Sequence, residues 1–283
     1  MIGMGIASYM RRAFRWIVRG IPEQHTTVVV KEGPVRGALK GRRVLITGGG
    51  RGLGFAIAER CVREGAKVLI VGRDEDTLRK GVARLGDSSA RYLTLDVRDV
   101  SRFAAFLSEA ESLMGGKIDS LVCNAGISLH EGDFRRVTEE GWDRQFDTNL
   151  KGSYFLVQQF VLYLERHEDV AGNIVVVTSE RAKRADDIPY GLTKVAASSF
   201  IQGIASKIIA EGIRLNGVGP GVTASDMTGV KRDGNLYAGH QAGKRFFVPE
   251  EVAEVVNFLL SDVSASIAGE IITCDQGAYI AHW

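Results

Sequence analysis

The sequence predicts an α/β fold, a doubly wound parallel sheet of about seven strands with helices on both faces, in a single domain. Three observations carry this expectation. Short apolar runs alternate with amphipathic helical stretches from Arg43 onward. A glycine-rich turn directly follows the first run, and neither a repeat nor a second compositional regime interrupts the series.

The apolar runs lie at residues 44–46, 68–71, 92–95, 121–123, 174–177, 215–218 and 271–274. They are too short for helices and suit strands buried on both faces. Helical periodicity occupies residues 53–64, 75–85, 100–113, 139–165, 190–210 and 250–260 between them. This places a domain at residues 41–283, preceded by an extension at residues 1–40. Within the extension, residues 22–41 read as a connector, because Pro22, Gly33, Pro34, Gly37 and Gly41 interrupt a short valine run.

Composition narrows the class of function. Hydrophobic content of 45% and charged content of 25% are those of an ordinary globular protein. A net charge of +2 argues against a nucleic-acid partner. The three cysteines are widely spaced and odd in number, which fits a reducing compartment and argues against disulfides or structural zinc. No metal site is expected, since the histidines lack ligand spacing. The expected location is cytoplasmic.

Residues 1–21 contain four arginines and no acid. At ~100° per residue, Arg11, Arg12, Arg15 and Arg19 share one side of a helix, and Ile2, Ile6, Phe14 and Ile17 the other. Such a basic amphipathic helix suits a membrane surface or a partner subunit. An organelle-targeting segment and a poorly ordered tail are the competing readings.

The first strand runs into Thr47-Gly48-Gly49-Gly50-Arg51-Gly52-Leu53-Gly54, and a helix follows. Glycines here let the backbone turn sharply and approach a pyrophosphate, while the helix N-terminus offers free N–H groups to phosphate. Strand, glycine turn and helix together are the context of a Rossmann-like dinucleotide site. Far downstream, Tyr190 and Lys194 stand four residues apart, so a helix brings them to one face. A free tyrosine has a pKa of about 10, and a neighbouring ammonium favours the phenolate. This pair is common on helix surfaces, and Ser179 alone could equally end a strand. Their co-occurrence with the glycine turn is what points to acid–base chemistry.

With the spacing T-G-x-x-x-G-x-G, the chain resembles the short-chain dehydrogenase/reductase family over residues 40–283. Further matches are Asp96, Cys123-Asn124-Ala125-Gly126, Asn149, Ser179, Tyr190-x-x-x-Lys194, Asn216-x-x-x-Pro220-Gly221 and Asp275-Gln276-Gly277. The resemblance implies a catalytic group of Asn149, Ser179, Tyr190 and Lys194. Tyr190 would exchange the proton, Ser179 would hold the substrate oxygen, Lys194 would hold the nicotinamide ribose, and Asn149 would hold a water. The implied cofactor residues are Gly48, Arg51, Gly52, Leu53, Gly54, Arg73, Asp96, Val97, Asn124, Ala125, Gly126, Tyr190, Lys194, Pro220, Gly221, Val222 and Ser225. Where NAD-using relatives carry an acid after the second strand, this chain has Gly72 and Arg73, and Asp74 reads as a helix cap. NADP(H) is therefore expected ahead of NAD.

Two stretches depart from the family pattern. Residues 180–187, between Ser179 and Tyr190, are heavily charged. They read first as a solvated loop, and second as a place where Arg181, Lys183 or Arg184 meets an anionic substrate. Gln276 stands where relatives carry glycine. Residues 222–248 resemble the mobile lid of relatives, and residues 278–283 an interface tail, with a homodimer or homotetramer implied. The resemblance implies an oxidoreductase interconverting a ketone and a secondary alcohol, with 3-oxoacyl thioesters, steroids and polyols all open as substrates. The alternative is a catalytically silent cofactor-binding sensor or scaffold.

Overall fold

In a computed structural model of the chain, residues 23–31 and 33–280 are described. The basic helix expected at residues 1–21 and the last three residues of the tail lie outside them. Seven parallel strands form one sheet: β1 (Arg43–Thr47), β2 (Lys67–Gly72), β3 (Ala90–Thr94), β4 (Ser120–Cys123), β5 (Gly172–Val177), β6 (Ile213–Pro220) and β7 (Ile271–Cys274). Their spatial order is β3-β2-β1-β4-β5-β6-β7. The helices are α1 (Gly52–Arg63), α2 (Glu75–Leu85), α3 (Phe103–Met114), α4 (Glu139–Gln145), α5 (Gly152–Leu164), α6 (Pro189–Ile208) and α7 (Pro249–Leu260).

Side chains alternate along each strand and so feed two cores. Leu45, Leu69, Leu121 and Ile174 face α3, α5 and α6, where Phe103, Phe106, Phe160 and Ile201 cover them. Val44, Ile46, Val68 and Val122 face α1, α2 and α7, where Ile57, Leu78, Val252 and Val256 cover them. Burial on both faces explains why the strands read as unbroken apolar runs rather than alternating ones.

Local chemistry sets the helix starts. The Asp74 carboxylate accepts from Thr77 N–H at 2.7 Å, which makes it the cap of α2. Thr138 caps α4 by accepting from Gly141 N–H at 3.1 Å. Pro189 and Pro249 open α6 and α7, where a missing N–H costs nothing.

The single helix expected over residues 139–165 is divided. Between α4 and α5, Phe146–Lys151 forms a π-helical segment, with Gly152 N–H bonding the Asp147 carbonyl. One residue is accommodated as a bulge without ending the helical run, so hydrophobic periodicity does not reveal it.

Because β1 pairs with both β2 and β4, the strand order reverses at its carboxyl end. In open α/β sheets a ligand crevice forms at this point.

Candidate active site

The crevice is a cleft of about 1050 Å³ over the carboxyl ends of the central strands. Thr47 ties its floor together. The Thr47 hydroxyl donates to the Val122 carbonyl at 3.4 Å and accepts from Asn124 and Ala125 N–H at 3.0 Å each. The Asn124 amide in turn donates to the Thr47 carbonyl at 3.0 Å. The glycine turn and the β4 turn are thereby locked side by side. A Cβ on Gly54 would lie 2.2 Å from the Gly48 carbonyl oxygen, so the turn closes only with glycine there. At Gly52, φ is +54° and a Cβ would enter open space on the cleft side. That bare backbone at a helix N-terminus fits a phosphate cradle.

At the β2 end of the cleft, Gly72 ends the strand, Arg73 follows it, and both line the cleft. The Asp74 carboxylate is engaged in its own cap, and the Thr77 side chain together with its N–H lowers the Asp74 pKa. Arg51 pairs with Asp226 of the loop after β6 at 2.9 Å, with both side chains about three-quarters exposed. Asp96 is gripped by Arg98, with a shortest contact of 2.6 Å, and this lowers its carboxyl pKa.

At the other end, Ser179 follows β5, and Tyr190 and Lys194 project from the first turns of α6. The Ser179 hydroxyl lies beside the Tyr190 phenol, whose pKa it lowers, and accepts from Arg181 N–H at 3.2 Å. Burial nevertheless pushes the Tyr190 phenol above its ordinary value. The depression expected from Lys194 is absent. The ammonium lies 5.7 Å from the Tyr190 ring centre and donates to the Val177 carbonyl at 3.0 Å. Burial also pulls Lys194 down to about 8. A buried ammonium with three donors and one such bond fits a site that receives further acceptors, such as ribose hydroxyls.

Asn149 sits in the π-helical segment, 2% exposed. Its amide clamps the β4 turn from both sides, accepting from Ile127 N–H at 2.8 Å and donating to the Ile127 carbonyl at 2.9 Å. A Cβ on Gly126 would meet the Asn149 oxygen at 3.3 Å and the Lys194 nitrogen at 3.7 Å. The β4 turn, the bulge and α6 therefore converge on one spot. The side-chain amide of Asn149 orders the backbone here, where the resemblance implied that the residue holds a water.

The cleft is lined by Gly48, Arg51, Gly52, Leu53, Arg73, Asp96, Val97, Asn124, Ala125, Gly126, Ser179, Tyr190, Lys194, Pro220, Gly221, Val222 and Ser225. Of the residues put forward from the sequence, Gly54 and Asn149 stand behind the lining. Sequence reasoning missed His130, whose ring lies 2.8 Å from the Met227 carbonyl and joins the loop after β4 to the loop after β6. It also missed Glu180, a buried carboxyl whose Oε2 has no hydrogen-bond partner and whose pKa burial raises. A lone histidine and one acid in a charged run give no sequence signal. In that run, Arg181 is held by Asp186 at 2.6 Å, Lys183 lies 5.8 Å from the Tyr279 ring, and Arg184 stands 4.0 Å from Glu180. Arg181 is thus occupied within the protein, while Lys183 and Arg184 are exposed. No group of three or more metal-binding side chains occurs among the described residues.

The switch-point crevice and the glycine cradle are those of a dinucleotide-binding α/β protein, and Ser179, Tyr190 and Lys194 line the same cleft. The family model for short chain dehydrogenases matches residues 42–236, and the chain belongs to that family, whose fold binds a nicotinamide cofactor. It is 31% identical over 271 residues to the short chain dehydrogenase claC of Passalora fulva, covering 88% of this chain and 99% of that one. Among solved structures it is similar to a short-chain dehydrogenase/reductase of Mycobacterium ulcerans, with TM-score 0.78 and 28% identity over 86% of this chain and 92% of that one. It is also similar to a point variant of actinorhodin polyketide ketoreductase solved with NADPH, with TM-score 0.77 and 26% identity over 85% and 98% of the chains.

Proposed function

We propose that the protein is an NADP(H)-dependent oxidoreductase that interconverts a ketone and a secondary alcohol. The observation that carries this reading is the meeting of Ser179, Tyr190 and Lys194 in the same cleft as the glycine cradle. The cofactor, when bound, supplies or accepts the hydride. Tyr190 delivers or withdraws the proton at its phenol oxygen. Ser179, beside that phenol, steadies the substrate oxygen as charge develops. Lys194 holds the ribose and adds positive charge beside the tyrosine. Asn149 fixes the backbone of Ile127 and thereby the wall between them.

The preference for NADP(H) rests on Arg73 at the end of β2, with Arg51 close enough to Asp74 to be felt by it. Asp74, the acid next along the chain, is engaged as the cap of α2. A homodimer or homotetramer is supported by partly exposed apolar side chains on α5 and α6, among them Tyr154, Leu162 and Val195. Three free cysteines support a reducing, cytoplasmic setting. Contact of residues 1–21 with a membrane surface or partner remains part of the proposal on the strength of the sequence pattern, and no described helix is long and apolar enough to cross a membrane.

The test is a steady-state screen of the purified protein with NADPH and with NADH over simple ketones, 3-oxoacyl thioesters, steroids and ketoses. Reduction of at least one class, faster with NADPH, is the expected result. Cofactor binding without turnover on every class would favour the silent scaffold, and equal or better use of NADH would overturn the role of Arg73.

A further inference from the structure

Residues 24–30, read from the sequence as connector, lie against the loop that follows β6 and lines the cleft. Their exposure alternates. Thr26, Val28 and Val30 are half-buried, while His25, Thr27 and Val29 are exposed, Val29 at 87%. An extended chain with one face docked gives this period of two. Thr26 donates its N–H to Asn235 Oδ1 at 2.9 Å, and its carbonyl accepts from Leu236 N–H at 2.9 Å. Asn235 Nδ2 donates to the Gln24 carbonyl at 2.8 Å. Val28 and Val30 pack on an apolar cluster of Ala224, Leu236 and Val248 that is separate from both sheet cores.

The docked segment connects to the cleft through continuous contacts. Phe246 N–H bonds the Leu236 carbonyl at 2.8 Å, Phe247 N–H bonds the Val222 carbonyl at 2.9 Å, and Ala224 N–H bonds the Phe247 carbonyl at 2.8 Å. Val222 lines the cleft, as do Thr223 and Ser225 on either side of Ala224. Between β6 and α7 the loop's own pairing consists of isolated bridges such as Thr223 with Phe247 and Tyr237 with Arg245. A segment held by isolated bridges and turn hydrogen bonds opens more readily than a laddered strand, unless something outside it also holds it.

We propose that residues 24–30 are a positioning strap for the active-site cleft, holding the loop of residues 221–248 in the conformation that binds cofactor and substrate. This rests on reading the cleft as the cofactor and substrate site. The strap touches neither Ser179 nor Tyr190, so it sets affinity and leaves the chemical step alone. If releasing it lowers the competent fraction of the loop to about one-tenth, apparent affinity falls about tenfold.

The experiment uses the full chain and the double variant Val28→Asp, Val30→Asp, which puts charge against the apolar cluster, with Thr26→Pro as a second variant that removes one N–H donor. Three quantities are read: the Kd for NADPH by calorimetry, KM against kcat for a substrate found in the screen, and the rate of tryptic cleavage after the exposed Lys231 in the loop. Each variant is first checked for a melting curve matching the parent. The expected result is an about tenfold rise in Kd and KM, kcat within about twofold, and faster loop cleavage. Unchanged Kd, KM and cleavage rate in the folded variants would overturn the proposal, and so would a collapse of kcat at constant KM. Should the double variant not fold, Thr26→Pro decides by the same readouts. A parent protein that binds neither NADPH nor NADH would instead overturn the reading of the cleft itself, before any variant is compared.

Discussion

Lys194 carries its ammonium in a buried position, and burial brings its pKa down to about 8 from the 10.5 of a free lysine. Between those values the unfolded chain binds the proton that the folded chain has released, so stability rises with pH across that window. Below about pH 8 the folded protein bears the full cost of the buried charge. Urea unfolding of the parent at pH 7.5 and pH 10 is therefore expected to show a gain that Lys194→Met lacks. Equal pH dependence in the two proteins would mean that the ammonium is not desolvated. Arg73 offers a second test at this scale. Replacing it with aspartate removes a charge-assisted contact and adds repulsion toward a 2′-phosphate. The ratio of kcat/KM for NADPH over NADH is expected to fall by about ten- to a hundredfold, as one such hydrogen bond allows. An unchanged ratio would mean that Arg73 faces solvent throughout.

The helical elements show where sequence pattern stops. Asn149 lies in a π-helical bulge that splits the run of residues 139–165, and its side-chain amide bonds both backbone groups of Ile127. Asn149→Ala leaves those groups unpaired beside the cleft, and a loss of about 1–3 kcal/mol of stability is expected on chemical denaturation. The sequence made Asn149 legible only through family resemblance. Its partner is main chain, which carries no residue signature, and the bulge leaves the apolar spacing intact. Tyr190 and Lys194 were legible because a helix imposes their spacing. What spacing could not show was that burial raises the Tyr190 phenol against the lowering by Ser179 and Arg181, with no depression from Lys194. Gln276 gives the converse case. It holds φ +51° in the turn after β7, in the left-handed region that favours glycine. Gln276→Gly is expected to raise stability by about 0.5–1 kcal/mol, read as a higher Tm.

At the scale of the molecule, strands alternating with helices foretold the parallel sheet, because each strand is buried on both faces and each crossover needs a helix. The crevice follows from strand order, with β1 at the reversal and the glycine turn at its end. The strap was illegible for a different reason. Its hydrogen bonds join residues 209 and 211 positions apart, and nothing local in Gln24 or Thr26 announces Asn235. In the loop 180–187, Asp186 pairs with Arg181 at 2.6 Å, a partner five residues away that the run of charges in the sequence did not single out. The chemistry assigned to the whole assembly comes down to one phenol. Tyr190→Phe and the parent should be compared for NADPH affinity by calorimetry and for carbonyl reduction under saturating cofactor. Affinity within about twofold and turnover lower by about 10²–10⁴ are expected for loss of a positioned proton donor. Turnover equal to the parent's would contradict the assignment of Tyr190 as the acid and base of this site.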